Sequence, residues 1–174
     1  MAKNLEYKVR YESLDEILPK LRILGATHRE TINQVDTYFN SPKGRLKLRE
    51  TDESDESWLI YYERPNKKGS RYSLYQLCKI THGSSLRELL TAALQIKTVV
   101  KKERSVWMYK NTRIHLDTVV DLGEYVELET VFQGQTETDA ITEHDYVKHT
   151  LELNIAEPIA VSYSDMSIQK TSEA

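Results

Sequence analysis

The 174-residue chain has one cysteine, six glycines and four prolines. A lone Cys78 permits no internal disulfide, and a reducing, cytoplasmic setting fits that usage. Cys/His spacing for zinc is missing, as are a Walker loop and a dinucleotide-binding glycine fingerprint. With so few glycines, any phosphate chemistry must rest on side chains rather than on a glycine-rich cradle. No apolar run approaches the roughly 20 residues needed to span a bilayer, and Met1-Ala2-Lys3-Asn4 does not read as a signal peptide. A basic surplus is lacking too. The 24 Lys and Arg against 27 Asp and Glu leave a net charge of −3, which argues against a nucleic-acid-coating protein. Length supports a single domain over residues 1–168, with 169–174 as a frayed tail.

What the chain does have is alternation. Eight segments read as strands: residues 3–11, 27–39, 45–49, 58–63, 71–80, 99–109, 112–119 and 124–131. Ser13 with Glu16 forms a capping-box pattern that opens a helix over Leu14, Ile17, Leu18 and Leu21. Gly25 ends it, and Pro19 either kinks it or delays its start. Ser85 with Glu88 opens a second helix, and a third spans about 139–153. The acidic stretch 52–56 reads as a solvated hairpin loop, and 162–165 as a short terminal segment.

The strands carry their charges in register. Arg45, Lys47 and Arg49 share one face, as do Arg113, His115 and Asp117, and Glu6 and Lys8. A charged strand face is usually a wet one. Across strands, however, the charges group by sign, whereas a solubilising surface intersperses them. Lys8, Arg10, Arg45, Lys47, Arg49, Lys102, Arg104 and Arg113 supply bases. Glu6, Glu127 and Glu129 supply carboxylates, with Asp117 near them. Such a pattern suits a small polyanion held through a divalent cation, since carboxylates bind Mg²⁺ or Mn²⁺ and Lys and Arg take the remaining phosphate oxygens. Glu127 and Glu129, one residue apart, point the same way from a strand, although Glu-x-Glu alone is a weak motif. If the sheet closes, these faces converge on a lumen and the apolar faces turn outward beneath the helices.

These residues resemble the CYTH domain, the triphosphate tunnel metalloenzyme fold, and within it the class IV adenylate cyclase-like branch. The resemblance is carried by Asn4-Leu5-Glu6-Tyr7-Lys8, Gln34-Val35-Asp36-Thr37-Tyr38-Phe39, and Gly44-Arg45-Leu46-Lys47-Leu48-Arg49-Glu50. It continues through Tyr62-Glu63-Arg64-Pro65, Val100-Lys101-Lys102-Glu103-Arg104, Arg113-Ile114-His115-Leu116-Asp117, and Leu122-Gly123-Glu124-Tyr125-Val126-Glu127-Leu128-Glu129. It implies an α+β fold, a closed eight-stranded antiparallel barrel with helices packed outside. It also implies a divalent-metal-dependent enzyme using Mg²⁺ or Mn²⁺ on a small-molecule triphosphate. Adenylate cyclase, making cyclic AMP and pyrophosphate from ATP, is the leading reading. An inorganic or thiamine triphosphatase, and a weakened tunnel that only binds polyphosphate or nucleotide, are the alternatives.

By the same resemblance Glu6, Glu127 and Glu129 hold metal. Lys8, Arg45, Lys47, Arg49, Lys102, Arg104 and Arg113 face the phosphates, and Lys8, Lys102, Arg104 and Asp117 form the catalytic set. Asp117 is either a further metal-shell ligand or the partner that orients a base. The family signature Glu-x-Glu-x-Lys begins here with Asn4, which offers a carbonyl oxygen but no charge. Glu63 stands where a basic residue is common, and either faces outward or pairs with a tunnel base. His115 has two readings, proton transfer or phosphate donation on one hand and a bonded polar barrel residue on the other. Tyr38, Tyr61 and Tyr62 read as structural. Cys78 reads as packed, and His28, His82, His144 and His149 as surface or loop residues. Lys67, Lys68 and Arg71 flank a loop with two readings, a solvated turn first and closure over the tunnel mouth second. The leucine stripes serve the core or a homodimer; no nucleic-acid or membrane partner is expected.

Overall fold

A computed structural model describes residues 1–52 and 55–174. Eight antiparallel strands close into a barrel: β1 (Ala2–Tyr11), β2 (Thr27–Phe39), β3 (Arg45–Thr51), β4 (Ser57–Glu63), β5 (Arg71–Ile80), β6 (Ile96–Tyr109), β7 (Thr112–Val119) and β8 (Gly123–Val131). Their order around the barrel is β1-β5-β4-β3-β2-β6-β7-β8, so the N-terminal strand sits between β5 and β8 and closes it. The alternation read from the sequence is thus satisfied by an inward charged face and an outward apolar one.

Four helices accompany the barrel: α1 (Leu18–Leu24), α2 (Gly83–Leu94), α3 (Glu137–Thr150) and α4 (Tyr163–Glu173). The principal core lies outside the strands. Val9, Ile114, Leu116, Val126 and Leu128 meet Ile17, Leu21, Val147, Leu151 and Leu153, all buried. Each such side chain removed from water contributes roughly 1.5–3 kcal/mol, which holds α1 and α3 against β1, β7 and β8.

Several local expectations are corrected. The side chain of Ser13 makes no cap; a 3₁₀ turn (Leu14–Ile17) precedes α1, and the Leu14 N–H donates to the Glu124 carboxylate at 2.8 Å. Pro19 then falls in the first turn of α1, where a missing N–H costs nothing. Gly25 does end α1, with φ of 77° that a glycine adopts without strain. Helix α2 starts at Gly83 with His82 as N-cap, ahead of the Ser85–Glu88 pattern. The short terminal segment is a full helix: Ser162 and Asp165 form a reciprocal capping box, and α4 runs to Glu173 through the stretch expected to fray. The centre of the acidic loop, residues 53–54, lies outside the described residues.

Cys78 is exposed rather than packed. His144 is fully buried, bridging Ser70 Oγ at 3.0 Å and Thr130 Oγ1 at 2.9 Å, and burial brings its pKa down to about 4. Arg71 is buried and donates to the carbonyls of Lys67 and Ile159, so it pins the 65–70 segment. No helix among the described residues is long and apolar enough to cross a membrane.

Candidate active site in the barrel lumen

The inward faces enclose a cavity of about 560 Å³. Seven bases (Lys8, Lys47, Arg49, Arg64, Lys102, Arg104 and Arg113) line it, with Glu6, Asp36, Glu127 and Glu129 beside them and Asp117 buried behind Arg104. The exposed Glu30 and Glu56 line it too; among the groups that are not exposed, seven bases stand against five acids, a surplus of two positive charges.

These charges do not segregate by sign, as the strand patterns implied. Barrel closure brings acids and bases of different strands together. Asp36 on β2 gathers Lys47 at 2.8 Å, Arg49 through two bonds of 2.7 Å, and Lys102 at 3.0 Å. Burial alone would push its carboxyl up, but Arg49, Lys102 and Lys47 hold it well below the usual carboxylate range. Asp117 accepts two bonds of 2.6 Å from Arg104 and one of 2.7 Å from the Tyr163 hydroxyl. Glu127 takes Lys8 at 2.7 Å, with Arg104 at 3.4 Å. Against burial, the Lys8 charge, with His115 and Arg104 close by, keeps Glu127 well below its ordinary value. Glu129 pairs with Arg113 at 3.0 Å, and Glu6 with Arg64 at 3.0 Å.

The bases feel the same burial. It lowers Lys102 to about 7, with Arg49 and Arg104 adding to the effect against Asp36. Lys47 falls to about 8 by burial and the neighbouring Arg49. Glu6 moves the other way: burial, then Glu127, raise its carboxyl despite Arg64.

Most candidate residues therefore meet in one place. Glu6, Lys8, Lys47, Arg49, Lys102, Arg104, Arg113, Glu127 and Glu129 all line the cavity. Arg45 sits apart, bonding Asp165 at 2.9 Å and Asn66 at 2.8 Å beside a second cavity that Arg64 also borders. Arg10 is exposed. Glu63 faces outward, toward Tyr61 at 2.8 Å and Lys43 at 3.3 Å.

The sequence reading assigned no role to Asp36, Arg64 or Tyr163. Arg64 points inward with its side chain 3 % exposed, and its Nε and Nη2 have no partner. Tyr163, at the start of α4, lays its ring 3.7 Å from Lys8 Nζ. Tyr38 and Tyr62, read as structural, line the cavity as well. The less buried lining is mixed: Ile32, Trp58, Tyr75 and Leu77 offer apolar and aromatic surface, none of it buried, alongside the exposed Glu30 and Glu56.

A divalent cation fits the donors present. Glu127 and Glu129 supply hard oxygens, Glu6 lines the same lumen, and the buried Asn4 Oδ1 has no hydrogen-bond partner. Such a cation would offset the Glu127 and Glu129 charges that, after burial, raise Glu6.

A family model, the CYTH domain, matches residues 2–157. Solved structures share the fold. The PH1012 protein from Pyrococcus horikoshii OT3 superposes with a TM-score of 0.82 at 22% identity, covering 93% of this chain and 98% of that one. A candidate adenylate cyclase from Vibrio parahaemolyticus gives 0.75 at 18% identity, covering 95% and 98%. HpAC1 from Hippeastrum, a candidate adenylyl cyclase with a dominant triphosphatase activity, gives 0.61 at 14% identity, covering 97% and 96%. No curated protein sequence matches this chain.

Proposed function

The chain belongs to the CYTH domain family, and from that premise we propose a divalent-metal-dependent enzyme that converts ATP to cyclic AMP and pyrophosphate. The observation that carries this reading is a lining of two kinds: charged side chains, of which seven bases stand against five acids among those not exposed, and the unburied apolar or aromatic Trp58, Tyr75, Ile32 and Leu77. A triphosphate chelating a divalent cation carries about two net negative charges and suits the first kind. A nucleoside suits the second, because bases stack on aromatic surface.

Lys8, Lys47, Arg49, Lys102, Arg104 and Arg113 would bind the phosphate oxygens. Several are already oriented by Asp36, Asp117, Glu127 or Glu129, so little reorganisation accompanies binding. Arg64, with two unpartnered nitrogens, has capacity to spare. Glu127 and Glu129, with Glu6 and Asn4 nearby, would hold Mg²⁺ or Mn²⁺. Such an ion supplies charge neutralisation on the phosphate oxygens. In cyclisation the ribose 3′-oxygen bonds to the α-phosphorus while the bond to pyrophosphate breaks, and the hydroxyl proton leaves to water. The protein's part is to hold that oxygen in line and to stabilise the charge passing to pyrophosphate.

Hydrolysis of inorganic triphosphate is the second reading. It is favoured by the seven bases of the charged lining, which need no nucleoside as partner. Incubation with ATP and, separately, with inorganic triphosphate, each with Mg²⁺ or Mn²⁺, tests both. Cyclic AMP with pyrophosphate supports the cyclase. Orthophosphate release from either substrate establishes a triphosphatase. Tight binding without turnover refutes both in favour of a binding protein.

A further inference from the structure

Among the described residues, three side chains with metal-donor atoms converge: His115 on β7 with Glu127 and Glu129 on β8, one donor atom of each within 4.8 Å of the others. Strand register brings them together. His115 lies directly across from Glu127, and Glu129 follows two residues along the same inward face. The two carboxylates already have a role in the reading above, whereas the imidazole has none. His115 is 4 % exposed and lines the cavity, and its Nδ1 is buried with no hydrogen-bond partner. That nitrogen stands 3.6 Å from Oε1 of Glu127, while Lys8 holds the opposite oxygen, Oε2. A buried nitrogen left bare beside two carboxylates is a donor atom in want of an acceptor of its lone pair.

We propose that His115 is the third protein ligand of the cation held by Glu127 and Glu129, and that this nitrogen makes the site prefer a first-row transition ion such as Mn²⁺ over Mg²⁺. Mg²⁺ is bound through oxygen and gives up water reluctantly, so an imidazole adds little to its affinity. Transition ions accept imidazole readily, and a mixed nitrogen and oxygen set favours them. The inference deepens the proposed function and rests on it only for the presence of a cation at Glu127 and Glu129.

The test uses Mn²⁺ itself, on the purified full chain without triphosphate. Electron paramagnetic resonance titration gives the Mn²⁺ affinity, and competition gives that of Mg²⁺. Spin-echo modulation from ¹⁴N reports directly whether a nitrogen is bound to Mn²⁺. Expected for the native chain are a nitrogen signal and a preference for Mn²⁺ of about tenfold or more. In His115→Gln the nitrogen signal should vanish and Mn²⁺ affinity fall by about 10–100-fold, the usual scale for disturbing a metal site. Mg²⁺ affinity should stay nearly constant. Bound Mn²⁺ without nitrogen modulation in the native chain overturns the proposal, whether or not the variant folds. So does native protein that binds no Mn²⁺, or a folded His115→Gln that keeps both affinities. A nitrogen signal in a chain that turns over no triphosphate would refute the proposed function while leaving this ligand assignment standing.

Discussion

Arg104 and Asp117 face each other across β6 and β7 and join through two parallel hydrogen bonds of 2.6 Å, each side chain almost wholly buried. Asp117 is shut away behind the arginine, so its influence on any substrate runs through the plane in which it fixes the guanidinium. The Tyr163 hydroxyl, at 2.7 Å on the same carboxylate, ties that orientation to α4. In Asp117→Asn the shape survives but a buried cation loses its counter-charge, a change that costs about 3–5 kcal/mol. Urea unfolding should show that loss, and kcat should fall more than KM rises. A loss below about 1 kcal/mol, of the size seen for exposed pairs, would show that Arg104 is oriented by something else.

Asp36 belongs to a different kind of contact. It neutralises three bases at once, and those bases hold its carboxyl well below the ordinary aspartate value. The stability it contributes is therefore complete above the unfolded value of about 3.9 and lost only as pH falls through the lower folded value. Asp36→Asn should be less stable than the native chain at pH 7. The gap should begin to narrow below about pH 4, as the unfolded carboxyl protonates, and close only at the lower pH where the native carboxylate protonates as well. Urea denaturation from pH 2 to 7 measures this, and a gap independent of pH would contradict the assignment of charge to Asp36.

These two carboxylates mark how far the sequence could be read. The inward face of each strand was legible because side chains alternate. Glu127 with Glu129, or Lys47 with Arg49, could therefore be placed on one face from spacing alone. Which charges neutralise one another was not legible, since Asp36 meets Lys102 only through the β2–β6 pairing, 66 residues away in the chain. Grouping by sign was an artefact of reading strands singly. Tyr163 was missed because 162–165 looked like an isolated segment. Yet Ser162 and Asp165 stand at capping-box spacing and could have announced a helix there. Arg64 lies just beyond β4, where alternation no longer says which way a side chain turns.

Lys102 and Lys47, with pKa values of about 7 and 8, are partly neutral at mildly alkaline pH while the lumen is free of anion. Both lie below the unfolded lysine value of about 10.4, so in the window between, the unfolded chain binds more protons than the folded one. Stability from these two groups accordingly rises with pH through that window. Binding runs the opposite way, because a phosphate oxygen favours the protonated ammonium. Triphosphate binding at pH 8 should take up protons, seen by calorimetry in buffers of different ionisation enthalpy. Lys102→Met should reduce that uptake. Binding without proton uptake at pH 8 would mean that both lysines are already charged.

Asn4 is 3 % exposed and its carbonyl oxygen has no partner, so it leaves room for a charge the lumen lacks. Glu6 lies two residues along the same face and already carries a raised pKa. Asn4→Glu should therefore unfold at lower temperature without metal, through repulsion among carboxylates. With Mn²⁺ or Mg²⁺ it should recover and bind the ion about tenfold more tightly, as added ligand charge does in other carboxylate sites. Thermal melts across a metal titration distinguish this from plain damage. An Asn4→Glu chain with unaltered metal affinity would show that the position does not serve the cation.

Trp58 separates the two readings of the lumen. It lies on β4 with Ile60 and Tyr62 along the inward face, in the unburied apolar and aromatic lining. If that surface receives a nucleoside, Trp58→Ala removes a stacking surface worth about 1–3 kcal/mol. KM for ATP should then rise by roughly 5–150-fold, while inorganic triphosphate, which has no base to stack, keeps its KM. Equal loss for the two substrates would instead place Trp58 in the barrel's packing. No loss for either would leave the lumen without a nucleoside subsite at Trp58, and the triphosphatase reading would then be the one the geometry supports.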